Sequence, residues 1–207
     1  MTTKSEPLAD KICRELASRI ISGKIEPGTK LLQDHIAEEF GASHVPVREA
    51  FRRLEQRGLA KSEPRRGVRV SGFTADDVRE VAEMRASLEA LALRHAAPHF
   101  TQAIIDAAEK AILDGDNARD VQSWEEANRR FHRVLLKPCG MPRLLQTIDD
   151  LYLTSARFLF AGWRTEWGMP TNREHHAILN ALRNRDIDHA VQLLARHVRY
   201  PGHRIKI

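Results

Sequence analysis

Cysteine is nearly absent. Only Cys13 and Cys139 occur among 207 residues, with no C-x-x-C pair, which excludes a disulfide framework and a cysteine zinc finger. Long apolar runs are missing too, and none approaches the roughly 18 residues that a membrane span needs. The opening MTTKSEPLADK carries charges where a secretory leader needs its apolar stretch. These absences predict a cytoplasmic protein with no membrane partner. What is present is a chain of 42% hydrophobic and 29% charged residues, the balance of a folded protein rather than a disordered one. Its length suits one large or two modest domains.

The net charge of +5 is unevenly placed. Between Ala42 and Gly72 lie eight basic residues (Arg48, Arg52, Arg53, Arg57, Lys61, Arg65, Arg66, Arg69) against three acids (Glu49, Glu55, Glu63), so this stretch alone carries +5. The remainder is close to neutral. A concentrated basic block on a balanced protein is the footprint expected for a polyanion, nucleic acid first. A merely solvated charged face is the plainer alternative.

Periodicity gives that block a frame. Leu8, Ile12, Leu16 and Ile20 recur every four residues and predict a helix over about 8–22, ended by Gly23. Pro27-Gly28 makes a turn. A short helix near 33–40 follows, with Leu32, Ile36, Ala37 and Phe40 on its apolar face and Gly41 as its stop. Ser43 is placed to cap a third helix, and Pro46 sits in its first turn, where a missing N–H costs nothing. Val47, Ala50, Phe51 and Leu54 form its apolar stripe, with Arg48 and Arg52 one turn apart on another face. Helix, tight turn and basic-faced helix is the geometry of a helix-turn-helix, whose second helix enters the major groove. There an arginine fork can read guanine. Leu59–Ser62 and Val68–Val70 read as two short strands around the turn Pro64-Arg65-Arg66-Gly67. That hairpin is a wing, with Arg66 at its tip.

GKIEPGTKL, HIAEEFGASHVPVREAFRRLEQRGL and EPRRGVRV together closely resemble the winged helix-turn-helix of GntR-type bacterial transcription regulators. The likeness runs over residues 8–71. It implies double-stranded operator DNA as partner, with Ser43, His44, Val45, Pro46, Arg48, Arg52, Arg66 and Gly67 as the DNA-binding positions. His44 and Val45 stand where the family usually has Arg and Thr, so the operator preference is expected to differ from the usual one.

Beyond the short linker Ser71-Gly72-Phe73 no alternating strand pattern occurs. Helical periodicity recurs at about 75–97, 101–114, 117–137, 142–161, 171–184 and 187–200, with breaks at Pro98, Gly115, Pro138-Cys139-Gly140, Gly168-Met169-Pro170 and Asp186. Thr74, followed by Asp76 and Asp77, can cap the first of them. Six antiparallel helices make one bundle. The fold class is therefore mainly α, with a winged helix-turn-helix over 1–72 and an all-α antiparallel bundle over 73–207.

Three histidines stand inside apolar stripes of that bundle. His132 sits with Leu135 and Leu136, His175 with Ile178, Leu179 and Leu182, and His197 with Ala190, Leu193 and Leu194. Inward side chains on facing helices build metal sites, and neutral imidazoles suit first-row divalent ions. Asn128 and His132, one turn apart, can point at one ion. Periodicity alone leaves core histidines equally open. Arg85 shares a stripe with Val78, Val81, Leu88 and Ala92, either to clamp a carboxylate or to pair with Glu89. Trp124, Trp163 and Trp167 stay unassigned, between cavity lining and plain core.

EMRASLEALALRHAA, NRRFHRVLL and EHHAILNALRNRDIDHAVQLLARHV resemble the FCD effector domain of the FadR-like branch of the same family. That resemblance implies a divalent ion on Asn128, His132, His175 and His197, zinc foremost with nickel or manganese as competitors. Asn128 replaces the usual Asp. Three imidazoles and an amide leave the ion's charge uncompensated by protein, so weaker retention and a stronger demand for an anion are expected. His176 points elsewhere. The expected whole is a homodimeric, metabolite-responsive repressor that releases DNA when a small carboxylate joins the metal and Arg85. The rival readings are a metal-dependent hydrolase, for which only Glu174 is near enough to act as base, and a regulator whose metal is purely structural.

Overall fold

Ile12, Leu16 and Ile20 share one helical face, and α1 (Leu8–Ile21) buries all three. Leu8, first of the expected stripe, is instead 38% exposed. The computed structural model describes residues 6–162 and 172–199. Contacts divide the chain into two units, Met1–Phe73 and Thr74–Ile207.

In the first unit α1 packs on α3 (His44–Gln56), whose Val47, Ala50, Phe51 and Leu54 are all buried, and α2 (Gln33–Glu39) packs on α3 as well. The wing has one strand more than the sequence predicts. β1 (Lys30–Leu31) joins β2 (Ala60–Glu63) and β3 (Gly67–Val70) in an antiparallel sheet of order β1-β3-β2. Lys30 pairs with Arg69, and Ala60 pairs with Val70. The turn at Gly28 (φ +81°) lets its N–H reach the Val70 carbonyl at 2.9 Å. Leu32, expected on the apolar face of α2, precedes that helix and is half exposed.

The second unit is a bundle of α4 (Ala75–Ala96), α5 (Gln102–Asp116), α6 (Val121–Leu136), α7 (Pro142–Gly162), α8 (Arg173–Arg183) and α9 (Ile187–Arg199). Thr74 opens α4 with a capping box: its hydroxyl accepts from the Asp77 N–H, and Asp77 accepts from the Thr74 N–H. Short 3-10 turns at Pro98 and Pro138 end α4 and α6, and Gly140 (φ +67°) turns the chain into α7. α4 runs against α7 and α9, α5 packs on α6 and α8, and α8 packs on α9. Leu93, Ile112, Phe131, Leu135, Ile178, Leu179 and Leu194 are fully buried between them. The break at Gly168-Met169-Pro170, with Trp163 and Trp167, lies outside the described residues.

Candidate metal centre and nucleic-acid interface

His132 on α6, His175 on α8 and His197 on α9 come together from three helices. One ring nitrogen of each lies within 4.8 Å of the other two. His132 and His175 are buried, and His197 is nearly so. Which nitrogen carries each proton follows from the neighbours. His132 Nδ1 lies 2.7 Å from Glu89 Oε2. Burial would push the Glu89 carboxyl up, but the Arg85 charge and then His132 outweigh it and hold it at about 2. An ionised carboxylate only accepts, so His132 Nδ1 donates.

His175 Nδ1 lies 2.9 Å from Asn172 Oδ1. The Asn172 amide is oriented by its other end, since Nδ2 donates to Asp116 Oδ1 at 2.7 Å and to the Ile112 carbonyl at 3.3 Å. His175 Nδ1 therefore donates too. His197 Nδ1 lies 2.8 Å from Glu174 Oε2 and does the same. The Nε2 atoms of His175 and His197 stand 3.0 Å apart, so with Nδ1 donating on both rings they can share a hydrogen bond only when one ring carries a second proton. Burial, and then the neighbouring His197 and His132, push the His175 pKa well down, and burial lowers that of His132, so both rings are held neutral. Three imidazoles drawn together, each oriented by a partner on Nδ1, form a group that could hold a metal ion.

Asn128 fits the same set. Its Nδ2 donates to the Tyr152 hydroxyl at 2.5 Å, while its Oδ1 is buried without a hydrogen-bond partner. A buried carbonyl oxygen left unpaired costs about 1–3 kcal/mol, which a cation would remove. His132, His197 and Asn128 line one cavity of about 60 Å³ between α4, α6, α7 and α9. Arg85 lines it too. Its Nε and Nη2 go to Glu89 at 2.9 and 2.7 Å, Nη1 goes to Ser155 Oγ at 2.8 Å, and the guanidinium lies 4.4 Å from the Tyr152 ring centre. The two roles considered for Arg85 are thus not exclusive. The Glu89 pair takes two of its five N–H donors and Ser155 a third, which leaves two uncommitted by these contacts.

The expectation that the ion's charge goes uncompensated by protein needs correction. Glu89 behind His132 and Glu174 behind His197 place carboxylates one bond away from two of the three rings. Glu174 is turned onto His197, not poised as a general base. His176 is exposed and reaches only Asp116 at 3.4 Å. Glu89, expected as a partner of Arg85 alone, also holds His132. Asn172 and Tyr152 carry no sequence signal, because their roles come from contacts between distant segments. Gly115 belongs to this tie: a Cβ there would stand 3.0 Å from Asn172 Nδ2. Gly115→Ala would ordinarily gain about 1 kcal/mol inside a helix. Here Asn172 is held on both sides and cannot give way, so we expect a net loss of about 1 kcal/mol by urea unfolding.

In the first unit, α3 projects its N-terminal end outward. Ser43 takes the N-cap position, but its hydroxyl makes no capping hydrogen bond and stays exposed. His44 and Val45 are exposed beside it, with His44 Nδ1 3.5 Å from Asp34. Pro46 is in the first turn. The basic block is less bare than its count. Arg52 turns its fork onto Glu49 at 2.9 and 3.1 Å, Arg53 pairs with Glu49 and Asp10, and Lys61 and Arg69 share Glu63. Among the described residues, Arg48, Arg57, Arg65 and Arg66 have no ion pair. Arg65 and Arg66 stand at the wing tip, where Arg65 adopts φ +63° and Gly67 φ +83°. A bulky residue in the left-handed region is strained by about 1–2 kcal/mol. Strain of this kind collects at binding sites, and it marks Arg65, which the sequence reading passed over.

The chain matches two families. Residues 8–70 match the family of bacterial regulatory proteins named gntR, and residues 80–200 match the FCD domain. It is 27% identical to the HTH-type transcriptional repressor RspR of Escherichia coli K12, over 94% of this chain and 87% of that one. It is 28% identical to a probable D-xylose utilization operon transcriptional repressor of Paenarthrobacter nicotinovorans, over 95% and 86%. The solved structure of E. coli McbR/YncC shares the fold with a TM-score of 0.80 at 22% identity, over 94% and 95%.

Proposed function

We propose, for a chain that belongs to the gntR family of bacterial regulatory proteins and carries an FCD domain, a repressor that leaves its operator when a small carboxylate binds at a divalent-metal centre. The protein is a transcription regulator of this type; its families and relatives are regulators rather than enzymes. RspR and the D-xylose operon protein are named as repressors, which supports the same sign here. No helix among the described residues is long and apolar enough to cross a membrane.

One observation carries the metal reading. Two imidazole nitrogens face each other at 3.0 Å while both Nδ1 atoms are already turned onto acceptors, so the pair needs either a shared proton or a cation between them, and the third imidazole and the unpaired Asn128 Oδ1 favour the cation. His132, His175, His197 and Asn128 would hold the ion, zinc first and nickel or manganese next. When bound, it offers open coordination positions to a carboxylate. Arg85 orients that carboxylate with its remaining N–H donors, and Tyr152 shields the cavity with its ring. Residues 1–72 bind double-stranded DNA, and 73–207 bind the ligand and pair two copies into a homodimer. The dimer reads half-sites about one helical turn apart. The ligand shifts the population toward a state of low operator affinity, by no more than the difference in its affinity for the two states.

Ser43, His44, Val45, Pro46, Arg48, Arg52, Arg66 and Gly67 make the DNA contacts in this reading. Arg48 and Arg66, free of acids, bind first. Arg52 must exchange Glu49 for DNA, at little cost because an exposed pair is worth at most about 1 kcal/mol. On an operator fragment selected from random duplex DNA, Arg48→Ala and Arg66→Ala should each weaken binding by about 1–3 kcal/mol if they touch bases, and reduce the salt slope by about one if they touch phosphate. Unchanged affinity in both would remove the α3 and wing assignments. For the ligand half, zinc-loaded protein on that operator is titrated with a panel of small carboxylates. Release by wild type and none by His175→Ala/His197→Ala is expected. Equal release by both would move the ligand site elsewhere.

A further inference from the structure

Val45 is the most exposed large hydrophobic side chain among the described residues, at 64%. It stands in the first turn of α3 and belongs to neither hydrophobic core. Helix formation does not ask for it either, because a β-branched side chain loses rotamer freedom in a helix. The buried stripe of α3 is Val47, Ala50, Phe51 and Leu54. Val45 lies on another face, three residues before Arg48 and seven before Arg52, both of them exposed. It therefore heads the row that carries the arginines.

The start of α3 is tied to the neighbouring helix. Gln33 Nε2, in the first turn of α2, donates to the His44 carbonyl at 3.2 Å, and His44 Nδ1 faces Asp34 at 3.5 Å. Two successive residues of α2 thus hold the backbone from which Val45 projects. An apolar group fixed at the head of a basic row meets a duplex at its base edges. In the major groove, adenine, guanine and cytosine present polar atoms there, which a valine would desolvate without pairing. Thymine alone adds an apolar group, its C5-methyl.

We infer that Val45 reads a thymine methyl group in each operator half-site. This rests on the operator reading above and deepens it, because it names a base and the side chain that selects it. Polar contacts from Arg48 and Arg52 position the helix on the duplex, and Val45 gains affinity only where the methyl is present.

The test removes one methyl group at a time. An operator is selected from random duplex DNA with the full-length protein. Each thymine of one half-site is then replaced in turn by uracil, which differs by that methyl alone. One replacement should weaken wild-type binding about fourfold, the worth of one buried methyl group at about 0.8 kcal/mol. Val45→Ala withdraws the two methyl groups of the valine and should bind the thymine and uracil duplexes about equally. Because Val45 packs in no core, the variant should melt with wild type, so a lost response is not unfolding. Exchange of the sensitive T·A pair for C·G should weaken wild type as well. A 5-methylcytosine in that pair returns the methyl to the same place and should restore part of the affinity. A half-site selected without thymine, tolerance of uracil at every thymine, or undiminished sensitivity in Val45→Ala would overturn the inference alone. Failure to select any operator would overturn the operator reading, and this inference with it.

Discussion

Glu89→Ala should destabilise the protein by about 3–5 kcal/mol, the usual cost of removing one partner from a buried ion pair. Glu89 is fully buried and holds two groups at once, Arg85 through Oε1 and His132 through Oε2. Its loss leaves the buried Arg85 charge without the carboxylate that pairs with it, held by Ser155 and the face of Tyr152, and takes from His132 Nδ1–H its acceptor. In urea unfolding this is a large shift of midpoint with little change of slope. The double variant Arg85→Met/Glu89→Met should recover most of the loss, because an apolar pair replaces a desolvated ionic one. It should not recover the response to ligand, since the guanidinium is gone. A cost below about 1 kcal/mol for Glu89→Ala would mean that the network is solvated and not a strut of the bundle.

The pH dependence has a definite sign. An exposed glutamate titrates near 4.5, and Glu89 is held at about 2. A depressed carboxyl stabilises the fold above the unfolded value and loses that contribution as pH falls from about 4.5 toward 2. Acid unfolding in that window should be blunted in Glu89→Gln, whose amide does not titrate.

Much of this was legible because it is periodic. Four-residue spacing gave α1, the i, i+3, i+4, i+7 pattern of Val47, Ala50, Phe51 and Leu54 gave α3, and the breaks at Pro98, Pro138 and Asp186 fell where helices end. The three histidines were visible as polar positions in apolar stripes, and the family resemblance said what to make of them. What escaped was short or long-range. β1 has two residues, too few for any alternation to be read, and it exists because the turn at Gly28 hydrogen-bonds to Val70. The partners that fix the rings lie far away in sequence: Glu89 is 43 residues from His132, and Glu174 is 23 from His197. A carboxylate that far off leaves no trace in a one-dimensional pattern. The charge count of the basic block was correct as arithmetic but did not show how many basic side chains are engaged, because Glu49 and Glu63 each contact two of them.

His175→Ala should abolish metal retention. Wild type purified without chelator should carry close to one divalent ion per chain by elemental mass spectrometry, and both His175→Ala and His132→Ala should carry none. His176→Ala, one residue away but exposed, is the control and should retain the ion. An ion present at a thousand times its dissociation constant stabilises the folded state by about 4 kcal/mol. Chelation should therefore lower the wild-type melting point by roughly 8–16 °C and leave His175→Ala unmoved. Acid should act as chelator does. Folding lowers the His175 pKa, so the unfolded chain takes up a proton first as pH drops below about 6.5, and both stability and ion affinity fall from there downward. Adding glycolate separates the two uses of the ion: a purely structural metal responds to chelator and to no carboxylate, whereas a sensing centre gains further stability from the acid. Absence of any ion in wild type, even after reconstitution with zinc, would make the histidines a buried hydrogen-bonded cluster. The response to ligand would then have to be rebuilt on Arg85 alone.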